Sequence, residues 1–177
     1  MVNIRKAVLS DTENLTGLAV RTFRETFTEH NKPEDIEAHR RNSYGSAIQS
    51  AEISDPELET LVAQEGRRSV GFAQLRWGRP PQCVRARSPG EIQRLCVDKR
   101  WHGKGLARKL MVYSLQRLGK RATDVAWLSV WETNPRAFSF YKKFGFDQVG
   151  EHLFLVGNDP QRDIVMAPHT TGSQRNG

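Results

Sequence analysis

Two glycines and several basic residues separate a short apolar run from a helical pattern near the middle of the chain. The apolar run at 92–97 predicts a strand, and apolar residues at helical spacing predict a helix over 105–119. The first N–H groups of a helix have no partner inside the helix, and the helix dipole adds partial positive charge there. Phosphate groups bind at such helix starts. This segment therefore predicts a site for a phosphate-bearing ligand.

Two common phosphate-binding motifs do not account for this loop. A Walker A loop needs Gly-x-x-x-x-Gly-Lys-Ser/Thr, and the sequence contains no such string. A dinucleotide-binding Gly-x-Gly-x-x-Gly could begin at Gly103, but Arg108 stands at its third glycine position and the loop does not follow the first strand. What remains is a loop with small residues at alternate positions, Gly103, Gly105 and Ala107.

A second segment, whose residues could bind a ligand or take part in a reaction, follows further along the chain. Asn134 and Pro135 are typical of a helix start, and Gly145 is typical of a helix end. Tyr141 lies seven residues after Asn134, so both side chains belong to the same face of the predicted helix. The small side chain of Ala137 leaves space on that face between them. The segment therefore predicts a helix that can present an amide and a phenol to one ligand.

Together the two segments resemble the GNAT superfamily of N-acetyltransferases. The acetyl-CoA loop of that family has the form Gln/Arg-x-x-Gly-x-Gly/Ala, which reads His102, Gly105 and Ala107 here, with His102 off the pattern. The second segment fits the family's Asn-x-x-Ala-x-x-x-Tyr-x-x-x-Gly-Phe, from Asn134 to Phe146. The resemblance implies acetyl-CoA as co-substrate and a single-domain α/β GNAT fold over residues 1–167. It also implies a mixed parallel and antiparallel central sheet of about six to seven strands with helices on both faces.

The resemblance also implies which residues hold the co-substrate. Backbone amides from Gly103 to Arg108 would bind the pyrophosphate, and the edge of the strand at 95–97 would pair with the pantetheine arm. The implied cofactor-binding residues are Leu95, Cys96, Val97, His102, Gly103, Lys104, Gly105, Leu106, Ala107, Arg108, Asn134, Ala137 and Tyr141.

Acetyl transfer to an amine has definite chemical demands. An alkyl amine with a pKa of about 10.4 must lose a proton before it attacks a thioester. Glu91 is the predicted proton acceptor, directly or through water, because it opens the strand that lies against the cofactor. The Cys96 or Val97 N–H would stabilise the oxyanion. Tyr141 is the predicted acid for the leaving thiolate, in direct transfer within a ternary complex.

A narrower similarity points to the acceptor. The segments at 27–34, 91–95, 131–132 and 150–163 resemble the bacterial spermidine/spermine N-acetyltransferases. That resemblance implies a small polyamine, whose ammonium groups would be gathered by carboxylates. The candidate substrate-binding residues are Glu25, Glu29 and Glu132, with Glu91 beside them.

Other functions stay open from the residues alone. Within the enzyme class, the acceptor could be a protein N-terminus, a lysine or an aminoglycoside. A non-catalytic acyl-CoA-binding regulator would carry the same loop without turnover. A basic DNA-binding protein ranks third, because the formal net charge of +7 comes from positive residues spread along the chain rather than gathered in one arm.

Composition narrows the setting of the protein. The 177 residues are enough for one domain, and no apolar run is long enough to span a membrane. Cys83 and Cys96 lack Cys-x-x-Cys spacing, and the five histidines lack metal-ligand spacing, so we expect neither a metal nor a disulfide framework. A cytoplasmic protein is predicted, with a small-molecule amine as partner and no nucleic acid or membrane. The sequence leaves the oligomeric state open, with a homodimer built from late strands as one alternative.

The periodicity predicts one α/β domain with its helices and strands in a definite order. A capping box of Ser10 and Glu13 predicts the first helix start, and Pro33 predicts the second. The remaining predictions are strands at 2–8, 57–64, 70–77, 92–97, 125–130, 148–156 and 163–167, helices at 105–119 and 134–144, and a disordered tail at 168–177.

Overall fold

The fold is a single seven-stranded sheet with helices on both faces, in a computed structural model that describes residues 1–169. The strand order is β1-β2-β3-β4-β5-β7-β6. The strands are β1 Val2–Lys6, β2 Leu58–Glu65, β3 Arg68–Trp77, β4 Pro89–Val97, β5 Val125–Trp131, β6 Phe146–Val156 and β7 Asp159–Pro168. The helices are α1 Thr12–Phe27, α2 Pro33–Ser43, α3 Ser46–Ser54, α4 Leu106–Lys120 and α5 Pro135–Lys142. The predicted mixed α/β fold is confirmed.

The two central strands β4 and β5 separate as they run toward their carboxyl ends. They pair in parallel, and the pairing covers only Pro89–Glu91 of β4 against Val125–Trp127 of β5. Beyond that point β5 pairs with β7, while β4 stays paired with β3 as far as Val97. Ligands of α/β sheets bind in crevices at the carboxyl ends of strands. The divergence therefore opens a wedge there and leaves one edge of β4 without a strand partner in the described chain.

Two layers of helices cover the sheet and hold the wedge open. Helices α4 and α5 pack on one face through residues such as Leu110, Met111 and Tyr141. Helices α1 and α2 pack on the other face through residues such as Leu18 and Phe23. Burial of these side chains removes apolar area from water, which stabilises the fold by about 25 cal/mol for each Å² buried. The two cores fix both walls of the wedge.

Local details differ from the sequence predictions at several element ends. The Ser10–Glu13 capping box is wrong: α1 begins at Thr12 after a short 3₁₀ turn, Leu9–Asp11. Asp11 takes the structural role instead, because its carboxylate accepts from the Val8 N–H at 2.8 Å and pairs with Arg5 at 2.8 Å. Glu13 accepts from the Ser46 hydroxyl.

The last hairpin is longer than the sequence predicts. β6 begins at Phe146 and β7 at Asp159, around a turn in which Gly157 has a φ of 62°. Pro160 is tolerated in β7 because β5 pairs only from Asp163 onward, so the missing N–H costs no second ladder bond. β7 ends at Pro168, and residues 170–177 of the predicted tail lie outside the described part. No helix within residues 1–169 is long and apolar enough to cross a membrane.

Candidate active site

The loop between β4 and α4 presents unpaired backbone donors at the mouth of the wedge. Gly103 and Gly105 have φ values of 75° and 77°, in the left-handed region that favours glycine. Gly105 is the N-cap of α4 and supplies no side chain to cap it. Among residues 1–169, the N–H groups of Leu106, Ala107 and Arg108 therefore keep no acceptor. A Cβ at either glycine would meet nothing within 4 Å, so the approach to these donors is open, and they fit a phosphate.

Asp98 fixes the position of this loop at the end of β4. It is 2% exposed, and its carboxylate caps the short 3₁₀ turn Lys99–Trp101 by accepting from the Arg100 N–H at 3.0 Å. Arg21 of α1 donates to the same carboxylate at 3.0 Å. The loop is thus tied both to its own strand and to the helix on the opposite wall.

His102, which stands where the family's loop has Gln or Arg, uses both ring nitrogens in contacts within the protein. Its Nε2 lies 3.0 Å from the Val97 carbonyl oxygen, and Arg136 Nη1 donates to its Nδ1 at 3.0 Å. The carbonyl can only accept, so Nε2 carries the proton and Nδ1 is the acceptor. The imidazole therefore links β4, the loop and the start of α5, and it leaves phosphate binding to the backbone donors.

The wedge contains a cavity of about 850 Å³, a size typical of small-molecule and cofactor sites. All the predicted cofactor-binding residues line it except Lys104, whose ammonium lies 5.2 Å from the centre of the Trp101 ring. The structure adds residues that the sequence analysis did not name, contributed by α1 and the turn after it, by the end of β5 and by the flanks of the loop and α5. These are Thr22, Thr26, His30, Lys99, Trp101, Trp131, Thr133, Arg136, Ser139, Phe140 and Lys143.

The charge of the cavity favours an anionic ligand. In the described part of the chain its lining includes Lys99, Arg108, Arg136 and Lys143 but a single carboxylate, Glu25. Clefts lined by one sign of charge concentrate ligands of the opposite sign. Within residues 1–169, no group of three His, Cys, Asp or Glu side chains could hold a metal ion.

Helix α5 brings Asn134 and Tyr141 to the same side of the cavity. The Asn134 side chain accepts from the Ala137 N–H at 3.1 Å and caps the helix, whose first position is Pro135. Tyr141 is 9% exposed and packs against Phe140 and Phe146. Burial raises the pKa of the Tyr141 phenol, and the nearby Cys96 thiol adds to the shift. The phenol therefore stays protonated at neutral pH and is available as a hydrogen-bond donor.

Cys96 lines the cavity from β4 as a half-buried free thiol. Burial raises its pKa, although the neighbouring Thr22 hydroxyl and the charge of Arg94 oppose the shift. The thiolate is the nucleophilic form of cysteine, and this environment disfavours it.

The predicted carboxylates are dispersed rather than gathered. Glu25 lines the cavity from α1. The Glu29 side chain is 85% exposed in the turn after α1, and it is not among the lining residues. Glu132 lies beside Arg162, 3.7 Å from its guanidinium, and is also outside the lining. Of the three predicted substrate-binding residues, the structure brings only Glu25 to the cavity.

The structure places Glu91 away from the other predicted catalytic residues. It lies where β4 still pairs with β5, opposite Trp127, about 20 Å along the strand from Val97. It is 7% exposed and accepts from Arg76 Nε at 2.8 Å. Burial raises the pKa of this carboxyl, and the charge of Arg76 opposes the shift. The expectation that Glu91 faces the cofactor is thus corrected: the strand's first residues lie at the closed end of the wedge.

This placement predicts a small kinetic effect for Glu91→Gln. We expect kcat/KM to stay within about threefold of the wild-type value, because the side chain contacts Arg76 and not the cavity. Steady-state kinetics across pH 6 to 10 would check this. A loss of about 100-fold together with a changed basic limb of the pH profile would give Glu91 the proton-accepting role after all.

Comparisons with known proteins agree with this geometry. The model of the Acetyltransferase (GNAT) family matches residues 15–146, about three quarters of the chain. An uncharacterised N-acetyltransferase of Mycobacterium bovis is 30% identical over 158 residues, which cover 89% of this chain and 97% of that protein. The spermine/spermidine N(1)-acetyltransferase of Bacillus subtilis is 33% identical over 85 residues, 46% of this chain and 55% of that protein.

The fold also has a solved counterpart. The PaiA N-acetyltransferase of Thermoplasma acidophilum, in complex with coenzyme A, superposes with a TM-score of 0.76. It is 23% identical, and the match covers 95% of this chain and 98% of that one. The open helix start, the diverging strands and the family match lead to one conclusion: the chain belongs to the GNAT family and is an N-acetyltransferase.

Proposed function

We propose that the protein transfers the acetyl group of acetyl-CoA directly to a primary amine, and that the amine is a small polyamine. One observation carries the proposal: a single cavity joins the unpaired amides of α4, the free edge of β4, the Tyr141 phenol and the α1 carboxylate Glu25. One cavity thus contains residues for binding the cofactor, for assisting departure of the thiol and for binding the amine.

The residues of the wedge fit acetyl-CoA, which when bound supplies an acetyl group activated as a thioester. The N–H groups of Leu106, Ala107 and Arg108 would hold the pyrophosphate, with Lys99 and Arg136 adding positive charge. The free edge of β4 at Leu95–Val97 offers backbone groups to the amides of the pantetheine arm, as an edge strand does to an added strand. The Val97 end of that edge supplies N–H donors where the carbonyl oxygen gains charge.

Tyr141 supports the departure of the thiolate in this proposal. Its phenol is buried, protonated and on the cavity side of α5, so it can donate a hydrogen bond to the leaving sulfur. Cys96 supports direct transfer rather than an acyl-enzyme, because its raised pKa disfavours the thiolate that would attack the thioester.

Two observations support a polyamine as the acceptor. The cavity carries a carboxylate, Glu25, on the α1 wall. The Bacillus subtilis relative that acts on spermine and spermidine shares 33% identity over about half of this chain. A flexible di- or triamine could thus lie along α1 while one of its nitrogens reaches the thioester.

A panel of acceptors tests the proposal. The purified protein is given acetyl-CoA and, separately, spermidine, 1,3-diaminopropane, n-butylamine, a peptide with a free N-terminus and lysine, or an aminoglycoside, and thiol release is followed. We expect kcat/KM for spermidine at least about tenfold above that for the peptide and the aminoglycoside. Preference for either of those would replace the polyamine, and acetyl-CoA binding without turnover on any acceptor would favour a regulator.

A further inference from the structure

A second carboxylate lies outside the cavity lining, on strand β7, which pairs with β5. Asp163 of β7 is directly opposite Trp131 of β5 and directly opposite His152 of β6 in the two antiparallel ladders. Residues directly opposite one another in a sheet project to the same face. Asp163 is 8% exposed, so the fold places an acidic group inside the protein at this point.

This carboxylate lacks the partners that a buried acid normally has. Among residues 1–169, its Oδ1 is buried and has no hydrogen-bond partner. Its Oδ2 lies 3.9 Å from His152 Nε2, which is instead 2.8 Å from the Ser129 hydroxyl. Burial lowers the pKa of His152, so this ring is neutral at physiological pH. Buried polar atoms are nearly always hydrogen-bonded, so the orphaned Oδ1 needs an explanation.

The surroundings are locally acidic although the chain as a whole is basic. Burial raises the pKa of Asp163 to about 6, and the Glu132 carboxylate adds to the shift, so Asp163 is mostly ionised at neutral pH. Arg162 pairs with Glu151 at 2.6 Å and lies 3.7 Å from Glu132, so one guanidinium serves two other acids. Within the described residues 1–169, Asp163 is left without an arginine or lysine partner.

Trp131 connects this carboxylate to the acetylation cavity. Its side chain lines the cavity, and its backbone lies one strand spacing, about 4.8 Å, from that of Asp163. The ring centre is 4.7 Å from that of Phe27 and 5.8 Å from that of His30. Aromatic faces attract alkylammonium groups. Trp131 thus lies between the cavity and Asp163, which is itself outside the cavity lining.

We propose that Asp163 binds the second ammonium group of the acceptor while the first is acetylated in the cavity. This inference rests on the proposed function, because it assigns the carboxylate that makes a diamine or polyamine a better acceptor than a monoamine. The orphaned Oδ1 and the neighbouring aromatic ring together form a subsite for a primary or secondary alkylammonium ion. The acceptor's second nitrogen supplies the missing cation.

The test compares a diamine with a monoamine in Asp163→Asn, an isosteric change that removes the charge. For 1,3-diaminopropane and spermidine we expect KM to rise and kcat/KM to fall by about 30-fold or more, the usual result of removing one partner of a buried charge pair. For n-butylamine, which has no second nitrogen, kcat/KM should stay within about twofold. Equal losses on both amine classes, or no loss on either, would overturn the subsite.

A matched control is Asp147→Asn, which removes a carboxylate of the same hairpin that already pairs with Lys142. It should leave the ratio of kcat/KM between 1,3-diaminopropane and n-butylamine unchanged. If Asp163→Asn does not fold, Asp163→Ser provides the same comparison. A control that changes the ratio as much as Asp163→Asn would also count against the proposal.

Binding measurements separate this proposal from the proposed function. Should the wild-type protein acetylate no amine, the proposed function fails, and the subsite is judged by calorimetric titration of spermidine into the protein saturated with coenzyme A. Binding to the wild type that weakens at least tenfold in Asp163→Asn supports the subsite. Absence of spermidine binding to the wild type, or equal binding by both proteins, overturns it.

Discussion

Replacing Tyr141 with phenylalanine is expected to lower kcat by about 100-fold or more, while the Kd for coenzyme A stays within about threefold. The phenol is buried beside Cys96 on the cavity side of α5, and its raised pKa keeps the proton available for the leaving sulfur. Phenylalanine keeps the packing against Phe140 and Phe146 and removes only the hydroxyl. Steady-state kinetics and equilibrium binding of coenzyme A measure the two quantities separately.

Tyr44→Phe is the matched control for this change. Tyr44 is similarly buried, at 7% exposed against 9% for Tyr141, and burial raises its pKa to about 12. It does not line the cavity but packs with Phe23 and under Arg94. Its replacement should leave kcat within about twofold. A Tyr141→Phe protein with wild-type kcat would remove the phenol from the mechanism.

Replacing Gly105 with valine is expected to weaken coenzyme A binding by about 30-fold or more. Two effects combine: a β-branched residue is strained at a φ of 77°, and its side chain would stand beside the N–H groups that would face the pyrophosphate. Calorimetric titration of coenzyme A gives the affinity, and thermal unfolding gives the cost in stability.

Gly66→Val separates these two effects. Gly66 has a φ of 59° in the β2–β3 turn, and a Cβ there also meets nothing within 4 Å. Valine at this φ costs a similar strain, about 1–2 kcal/mol of stability. The β2–β3 turn, however, contributes no residue to the cavity lining. We expect both variants to unfold at lower temperature and only Gly105→Val to lose coenzyme A. Equal affinities in the two variants would argue against an anion site at the α4 start.

Local sequence patterns were sufficient for the parts of the site that one segment supplies. Helix α4 is predicted within one residue at each end, because Gly105 and the apolar spacing are visible in the sequence. Asn134 and Pro135 likewise mark the start of α5. The sequence predicted a shorter β6–β7 hairpin than the structure has. Pro160 and its neighbours form a strand because they pair with β6, and their own sequence pattern does not predict that pairing.

The rest of the site depends on how distant segments meet. Trp131 and His30 reach the cavity because the end of β5 and the 3₁₀ turn after α1, Thr28–His30, converge there, and neither segment's own pattern predicts that contact. Glu91 was misplaced because the sequence shows a strand but not where β4 and β5 part. Asp163 looks like an ordinary strand acid in the sequence, and only its neighbours on β5 and β6 bury it.

The most direct test of direct acetyl transfer in this wedge is to follow an isotopically labelled acetyl group from acetyl-CoA by mass spectrometry, with and without spermidine. We expect one labelled acetyl group on the amine for each thiol released, and unlabelled protein when spermidine is omitted. Label retained on the protein at Cys96, or thiol release without an acetylated amine, would contradict it.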